Sequence, residues 1–269
     1  MKVELSWDII KKQSGLNKDC FSYQDILQEY IGKSPIYLSK VLSKMVDKGM
    51  LIKLSRGLYH IVPIGSDAKT YIPDWHMVTK YIMKDKEYYI GYYSAMQIHG
   101  LITQPSLKEI VVIKHKSPST KTIRGVEFQF VTHIKKRFFG FKNTWINNHD
   151  KVMVSDLEKT IVDAVTRPHL SGGMVEVGKA IYETRDKINQ DKLWDYFNQN
   201  ESHAGIKRYL FICNLFDIII NTHYIENLKN ISTSFSLLDT SLPNQGKKNT
   251  KFGLKINLDT NTIKNAIYT

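Results

Sequence analysis

The stretch that decides the fold is residues 34–63, SPIYLSKVLSKMVDKGMLIKLSRGLYHIVP. Ser34 followed by Pro35 reads as a helix start: serine is a good N-cap, and proline at the first helical position lacks only an N–H that would be unpaired anyway. Leu38, Val41, Leu42 and Met45 recur at i, i+3, i+4 and i+7, one face of a helix. Gly49 is the stop. MLIKL then reads as a strand, SRG as a turn and LYHIV as the returning strand, with Pro63 ending the hairpin.

Upstream, a short helix is expected over 4–13. FSYQDILQEYIG (21–32) places Tyr23, Ile26, Leu27, Tyr30 and Ile31 on one helical stripe, with Ser22 and Asp25 as a capping box and Gly32 as the stop. The order helix, helix, short turn, helix, strand, turn, strand is that of a winged helix-turn-helix, with Ile31–Pro35 as its turn. The expected N-terminal domain is 1–66.

PIGSDAKTYIPD (63–74) has Pro63, Gly65, Ser66 and Pro73 and no periodicity, and reads as a linker. Beyond it the pattern is mixed. Helices are expected at 75–84 and 91–99, strands in EIVVIKHK, VEFQFVTH and KVMVS, and helices at 156–166, 174–188, 191–199 and 204–220. SFSLL and FGLKINL read as closing strands, with NQGKKNTK between them as a loop. The expected fold class is therefore α+β: an N-terminal winged helix-turn-helix followed by a larger mixed α/β domain over 67–269.

The formal net charge of +12 and a pI near 9.4 favour a polyanionic partner, nucleic acid or an anionic membrane, although a merely lysine-rich surface gives the same totals. Cys20 and Cys213 are far apart and form no CxxC, so neither a disulfide framework nor a zinc site is expected, and a reducing, cytoplasmic setting fits. The first ten residues carry Glu4 and Asp8 and no apolar signal core. YLFICNLFDIII (209–220) contains Asn214 and Asp217 and is shorter than the roughly 20 residues a spanning helix needs. It reads as a buried helix, and no membrane partner is expected.

On the helix that follows Ser34, the face opposite the apolar stripe carries Ile36, Tyr37, Lys40, Ser43, Lys44 and Asp47. Ser34, Tyr37, Lys40, Ser43 and Lys44 are the candidates to reach a DNA major groove, and Lys53 and Arg56 the candidates at the wing tip. Each cation taken alone is also an ordinary solvated side chain, and Gly57 is explained by the turn. No HExxH, P-loop, GxGxxG or GxSxG occurs, so no catalytic residue, metal or cofactor is expected. LSGG (170–173) could cradle a phosphate, but without a preceding strand it reads as a simple loop.

Two further stretches stand out. In VSDLEKTIVDAV (154–165), Ser155 and Glu158 form a second capping box. Asp156, Glu158 and Lys159 could instead imitate a Mg²⁺-dependent nuclease centre, which makes a winged-helix-targeted nuclease or nucleotide-processing enzyme the alternative reading. IGYYSAMQIHGL (90–101) is helical; His99 suits the helix dipole and Gly100 the left-handed cap, against the alternative of a ligand site.

RGLYHIVP after a basic winged helix, then YYSAMQIHGL, then VSDLEKTIVDAV resembles, in that order, the AbiEi family of antitoxins from bacterial type IV toxin–antitoxin modules. The likeness covers about residues 20–220, and FGLKINLD is similar to the family's closing strand. The resemblance implies a winged helix followed by an α/β antitoxin domain, and repression of the protein's own operon at inverted repeats in double-stranded DNA. It also implies neutralisation of a nucleotidyltransferase-like toxin without a stable complex. By position, Tyr37, Lys40, Lys44 and Arg56 would carry the DNA role. Ser94, His99, Glu158, Lys159 and Asp163 lie in the antitoxin-domain motifs. The Lys/Tyr pattern of the third helix departs from the family's more arginine-rich one, so base specificity does not carry over.

Overall fold

The computed structural model describes residues 2–84, 86–102, 104, 106–114, 120–221 and 234–268. The chain forms two compact units. The first comprises Met1–Lys86, Lys121–Glu127 and Trp145–Val152; the second comprises Glu87–Thr120, Phe128–Thr144 and Met153–Thr269. Both mix helices and sheets, so the fold is α+β.

The first unit runs α1 (Lys2–Gly15), β1 (Cys20–Ser22), α2 (Tyr23–Glu29), α3 (Pro35–Asp47), β2 (Leu51–Ser55), β3 (Leu58–Ile61) and α4 (Trp75–Ile82). Its sheet is antiparallel, in the order β1–β3–β2. The apolar faces expected of α3 and the hairpin are the ones buried: Leu38, Val41, Leu42 and Met45 pack with Ile9, Phe21, Ile26, Leu51 and Ile61. The capping box is present, with Ser22 N–H donating to Asp25 at 2.7 Å and Asp25 N–H to Ser22 Oγ at 3.2 Å.

Three expectations for this unit need correction. Helix α2 ends at Glu29, so Ile31 leaves the stripe and stands 90% exposed, ahead of Gly32 at φ +92°. Ser34 occupies the N-cap of α3 but its side chain makes no cap hydrogen bond; the start rests on Pro35. The stretch read as a linker is anchored. Arg124, itself at φ +53°, donates its guanidinium to the carbonyls of Ala68, Lys69 and Tyr71 at 2.5, 2.8 and 3.0 Å. The single Nη2 group serves backbone acceptors that no helix or strand pairs, and the first unit continues past residue 66 through α4.

In the second unit, five strands lie in the order β7 (Val126–Thr132), β5 (Lys108–Ile113), β4 (Tyr88–Ile90), β9 (Lys151–Ser155), β8 (Phe141–Trp145). The short β6 (Lys121–Ile123), the first residues of β7, the last residue of β8 and the first two of β9 belong to the first unit. The central β4 is wholly buried; it runs antiparallel to β5 through Tyr88↔Ile113 and parallel to β9 at Ile90↔Val154. The helices are α5 (Tyr92–Ile98), which packs on β5, α6 (Leu157–Thr166), and α7 (Gly173–Thr184), α8 (Gln190–Asn200), α9 (His203–Leu215) and α10 (Thr260–Asn265), which cluster with α6. A second small sheet has the order β10 (Ser236–Leu237), β12 (Leu254–Ile256), β11 (Lys247–Asn249). Strand β11 thus falls inside the expected loop NQGKKNTK. Helix α9 stops at Leu215, five residues before the expected end, because Asp217 turns the chain at φ +51° and Ile219 emerges 87% exposed. Residues 115–116 of EIVVIKHK lie outside the described residues.

LSGG leads into α7, with Gly172 at φ +79° and Gly173 at φ +85°. The N-terminus of the helix already faces an anion, the chain's own: Asp239, 3% exposed, accepts from Met174 N–H at 2.6 Å and from Ser241 N–H at 2.7 Å. A Cβ on Gly173 would sit 2.9 Å from that carboxylate, which explains the glycine. Asp239→Ala leaves a buried N–H unpaired and is expected to lower unfolding free energy by about 1–3 kcal/mol. Urea unfolding followed by tryptophan fluorescence reads this, and an unchanged midpoint would show that the cap contributes nothing.

Candidate functional site

In the first unit, residues 33–56 hold six cations, Lys33, Lys40, Lys44, Lys48, Lys53 and Arg56, against one acid, Asp47. All six are exposed, and none forms an ion pair among the described residues. One residue links the two segments that carry most of them. Tyr23 donates its backbone N–H to Gly57 O at 2.7 Å and its phenol to Pro35 O at 2.7 Å. The hairpin turn and the first turn of α3 are thereby held to a single side chain and its own amide. Gly57 takes φ +74°, leaving Arg56 exposed at the turn.

The rotation of α3 sorts its outer face. At 100° per residue, Tyr37, Lys44 and Lys48 share a flank, and with Ser6 of α1, Lys40 and Val41 they line a groove of about 110 Å³. Ile36, Lys40, Ser43 and Asp47 form the strip opposite the core. Of the expected contacts, Ser34, Lys40, Ser43, Lys44, Lys53 and Arg56 are exposed and Tyr37 is half-buried. Lys48 was missed, although its spacing, four residues after Lys44, was visible.

Two of the motif residues of the second unit, Lys159 and Asp163, belong to one buried polar network; Ser94, His99 and Glu158 are bonded elsewhere. Lys159 Nζ donates to Asp163 Oδ1 at 2.6 Å, with both side chains essentially inaccessible. The ammonium also lies 4.3 Å from the Phe139 ring centre. Tyr89 donates its hydroxyl to Asp163 Oδ2 at 2.9 Å. His133 bridges two tyrosines, with Nδ1 3.1 Å from the Tyr89 oxygen and Nε2 2.7 Å from the Tyr92 oxygen. Nδ1 also faces the Arg137 carbonyl at 3.2 Å, so Nδ1 carries the hydrogen and Nε2 accepts from Tyr92. Burial pushes both tyrosine phenols well above their usual range, so both remain donors. Tyr92 holds φ +55°, a backbone state that a tyrosine keeps only where its surroundings fix it.

Ser94 and His99 tie α5 to the sheet. Ser94 Oγ accepts from Ile110 N–H at 2.9 Å. His99 Nε2 donates to the Ser155 carbonyl at 2.8 Å, and burial lowers its pKa. His99 is therefore neutral, and the expected attraction of a charged ring to the helix dipole gives way to a hydrogen bond. The second capping box is also corrected: Ser155 is the last residue of β9, and the N-cap of α6 is Asp156, which accepts from Lys159 N–H at 2.9 Å. Glu158 instead accepts from Lys192 Nζ at 2.7 Å and from Asn189 N–H at 3.1 Å. Lys192 also pairs with Asp156 at 3.1 Å, and Tyr196 donates to Asp156 at 2.9 Å. Asp156 and Glu158 are thus bridged by Lys192, while the Lys159 ammonium is bound to Asp163. Among the described residues no three His, Cys, Asp or Glu side chains are grouped to hold a metal ion, and no helix is long and apolar enough to cross a membrane.

Tyr89, Tyr92 and His133 were not singled out from the sequence. The tyrosines were visible in the YYIGYYS run, but their partner His133 is more than forty positions away. His133 supplies a test. Burial lowers its pKa from 6.5 to about 4. The unfolded chain takes up this proton as pH falls below 6.5 and the folded chain only near 4, so stability is full above 6.5 and is lost across that window. The loss is roughly 3 kcal/mol at most. His133→Asn is expected to be less stable than the parent at pH 7, and the gap should narrow towards pH 4.5 in urea unfolding. A gap independent of pH would show that His133 is not held neutral.

No protein-family model matches the chain, and no curated protein matches it. Among solved structures, it is similar to the crystal structure of the RV2827C protein from Mycobacterium tuberculosis, with a TM-score of 0.73 and 11% identity over 97% of this chain and 94% of that one. The two share the α+β fold over nearly their whole lengths.

Proposed function

We propose that this chain is a cytoplasmic DNA-binding repressor of its own operon and the antitoxin of a bacterial type IV toxin–antitoxin module of the AbiEi kind. The observation that carries the reading is Tyr23: it holds the first turn of α3 and the 55–58 turn together, on segments whose six cations form no ion pair among the described residues. In this reading α2 and α3 are the helix-turn-helix and β2–β3 is the wing. The N-terminal half of α3 enters the major groove of an inverted-repeat operator, where the helix N-terminus favours phosphate. Lys40 and Ser43 face the groove; Tyr37, Lys44 and Lys48 lie on the flank that meets the backbone; Lys53 and Arg56 meet the adjoining phosphates or minor groove.

The antitoxin role is supported by the order of the three motifs. Ser94, His99, Glu158, Lys159 and Asp163 would serve it by setting α5 and α6 against the sheet, since each is engaged within the chain. Neutralisation then acts on a nucleotidyltransferase-like toxin without stable contact.

Two measurements test this. Lys40→Ala with Lys44→Ala should weaken binding to the DNA upstream of the gene. The slope of log K against log salt should fall by about 2, because two phosphate contacts no longer release counterions. Unchanged affinity and slope would remove α3 as the reader. Co-expression of the full chain with the product of a neighbouring nucleotidyltransferase-like gene should restore growth, and the double variant should retain that rescue. No rescue by the parent chain would leave a repressor without antitoxin activity.

A further inference from the structure

Helix α3 exposes one large apolar side chain. Leu38, Val41, Leu42 and Met45 are buried, while Ile36 is 69% exposed and lies outside the apolar cluster of the first unit's described residues. It sits in the first turn, directly after Pro35, whose carbonyl accepts the Tyr23 phenol at 2.7 Å. Its backbone is therefore held, and its β-branched side chain has few rotamers. Ile36 heads the outermost strip, followed by Lys40, Ser43 and Asp47. The carboxylate at the far end of that strip repels phosphate, so an approaching duplex meets the N-terminal end most closely.

An apolar surface fixed at the point of closest approach has one counterpart on a base edge in the major groove: the C5 methyl of thymine. The lysines beside it supply charge but cannot discriminate that group. We propose that Ile36 is a specificity-determining residue that reads a thymine methyl in each half-site. This rests on the DNA-binding reading above, and it assigns a role to a residue that charge alone would pass over.

The test uses the full-length chain and duplexes it selects from a random pool. Each thymine of the selected site is replaced singly by deoxyuridine, which lacks only the methyl. One position per half-site should weaken binding about fourfold, the worth of one buried methyl-sized group. Ile36→Ala should bind the thymine and uracil forms of that site equally, with an unchanged melting temperature because the side chain is exposed. If the parent selects no sequence, the DNA-reading proposal itself falls. If it selects a sequence but ignores every uracil substitution, or if Ile36→Ala still discriminates, only the role of Ile36 is overturned.

Discussion

The ion pair between Lys159 and Asp163 is buried at the centre of the second unit's polar network. Two charges removed from water are tolerated only when their remaining valences are filled. Asp163 fills its second oxygen with the Tyr89 hydroxyl, which recruits His133, which in turn recruits Tyr92. Five side chains from β4, α5, α6 and the end of β7 are therefore committed by one pair. Gly140 belongs to the same constraint: a Cβ there would lie 2.9 Å from Lys159 Cβ, and its carbonyl accepts from Asp156 N–H at the start of α6. The sheet, the helix and the aromatic loop at 138–141 are fitted around a lysine that cannot reach solvent.

The first unit is organised on the opposite principle. Its core cluster is apolar, and the six cations of residues 33–56 are left facing outward. Tyr23 is both the first residue of α2 and the contact point for two segments that follow it, so the capping box that fixes α2 also fixes the separation of α3 from the hairpin turn. Local chemistry at Ser22 and Asp25 in this way sets the geometry of the basic surface formed by α3 and the hairpin.

What was legible in the sequence follows from distance along the chain. The α2 capping box, the α3 stripe and the Gly57 turn depend on neighbours within a few residues, and periodicity reads them. Strands β1 and β4 are three residues each and exist because of partners such as Cys20↔His60 and Tyr89↔Val112, which no local pattern encodes. The Ser155 cap was displaced by one residue because β9 claims the serine, and Glu158 found its partner 34 positions away in Lys192. His133 is legible only once the sheet is known, since its two tyrosines lie on β4 and α5. The outward strip of α3 could be drawn from the wheel alone; that Ile36 remains uncovered there could not.

The hold of Arg124 on residues 68–71, with the Lys80–Asp150 pair at 3.2 Å, has a consequence for synthesis. The first unit draws its last residues from position 152, so more than half of the 269-residue chain must leave the ribosome before that unit is complete. Vectorial folding, in which an N-terminal domain finishes before the next begins, is delayed by this topology, because segments of the second unit are interleaved with the first. The first unit closes only when Trp145–Val152 have emerged, after segments of the second have already been made, and a translation product cut short before residue 145 releases neither unit whole.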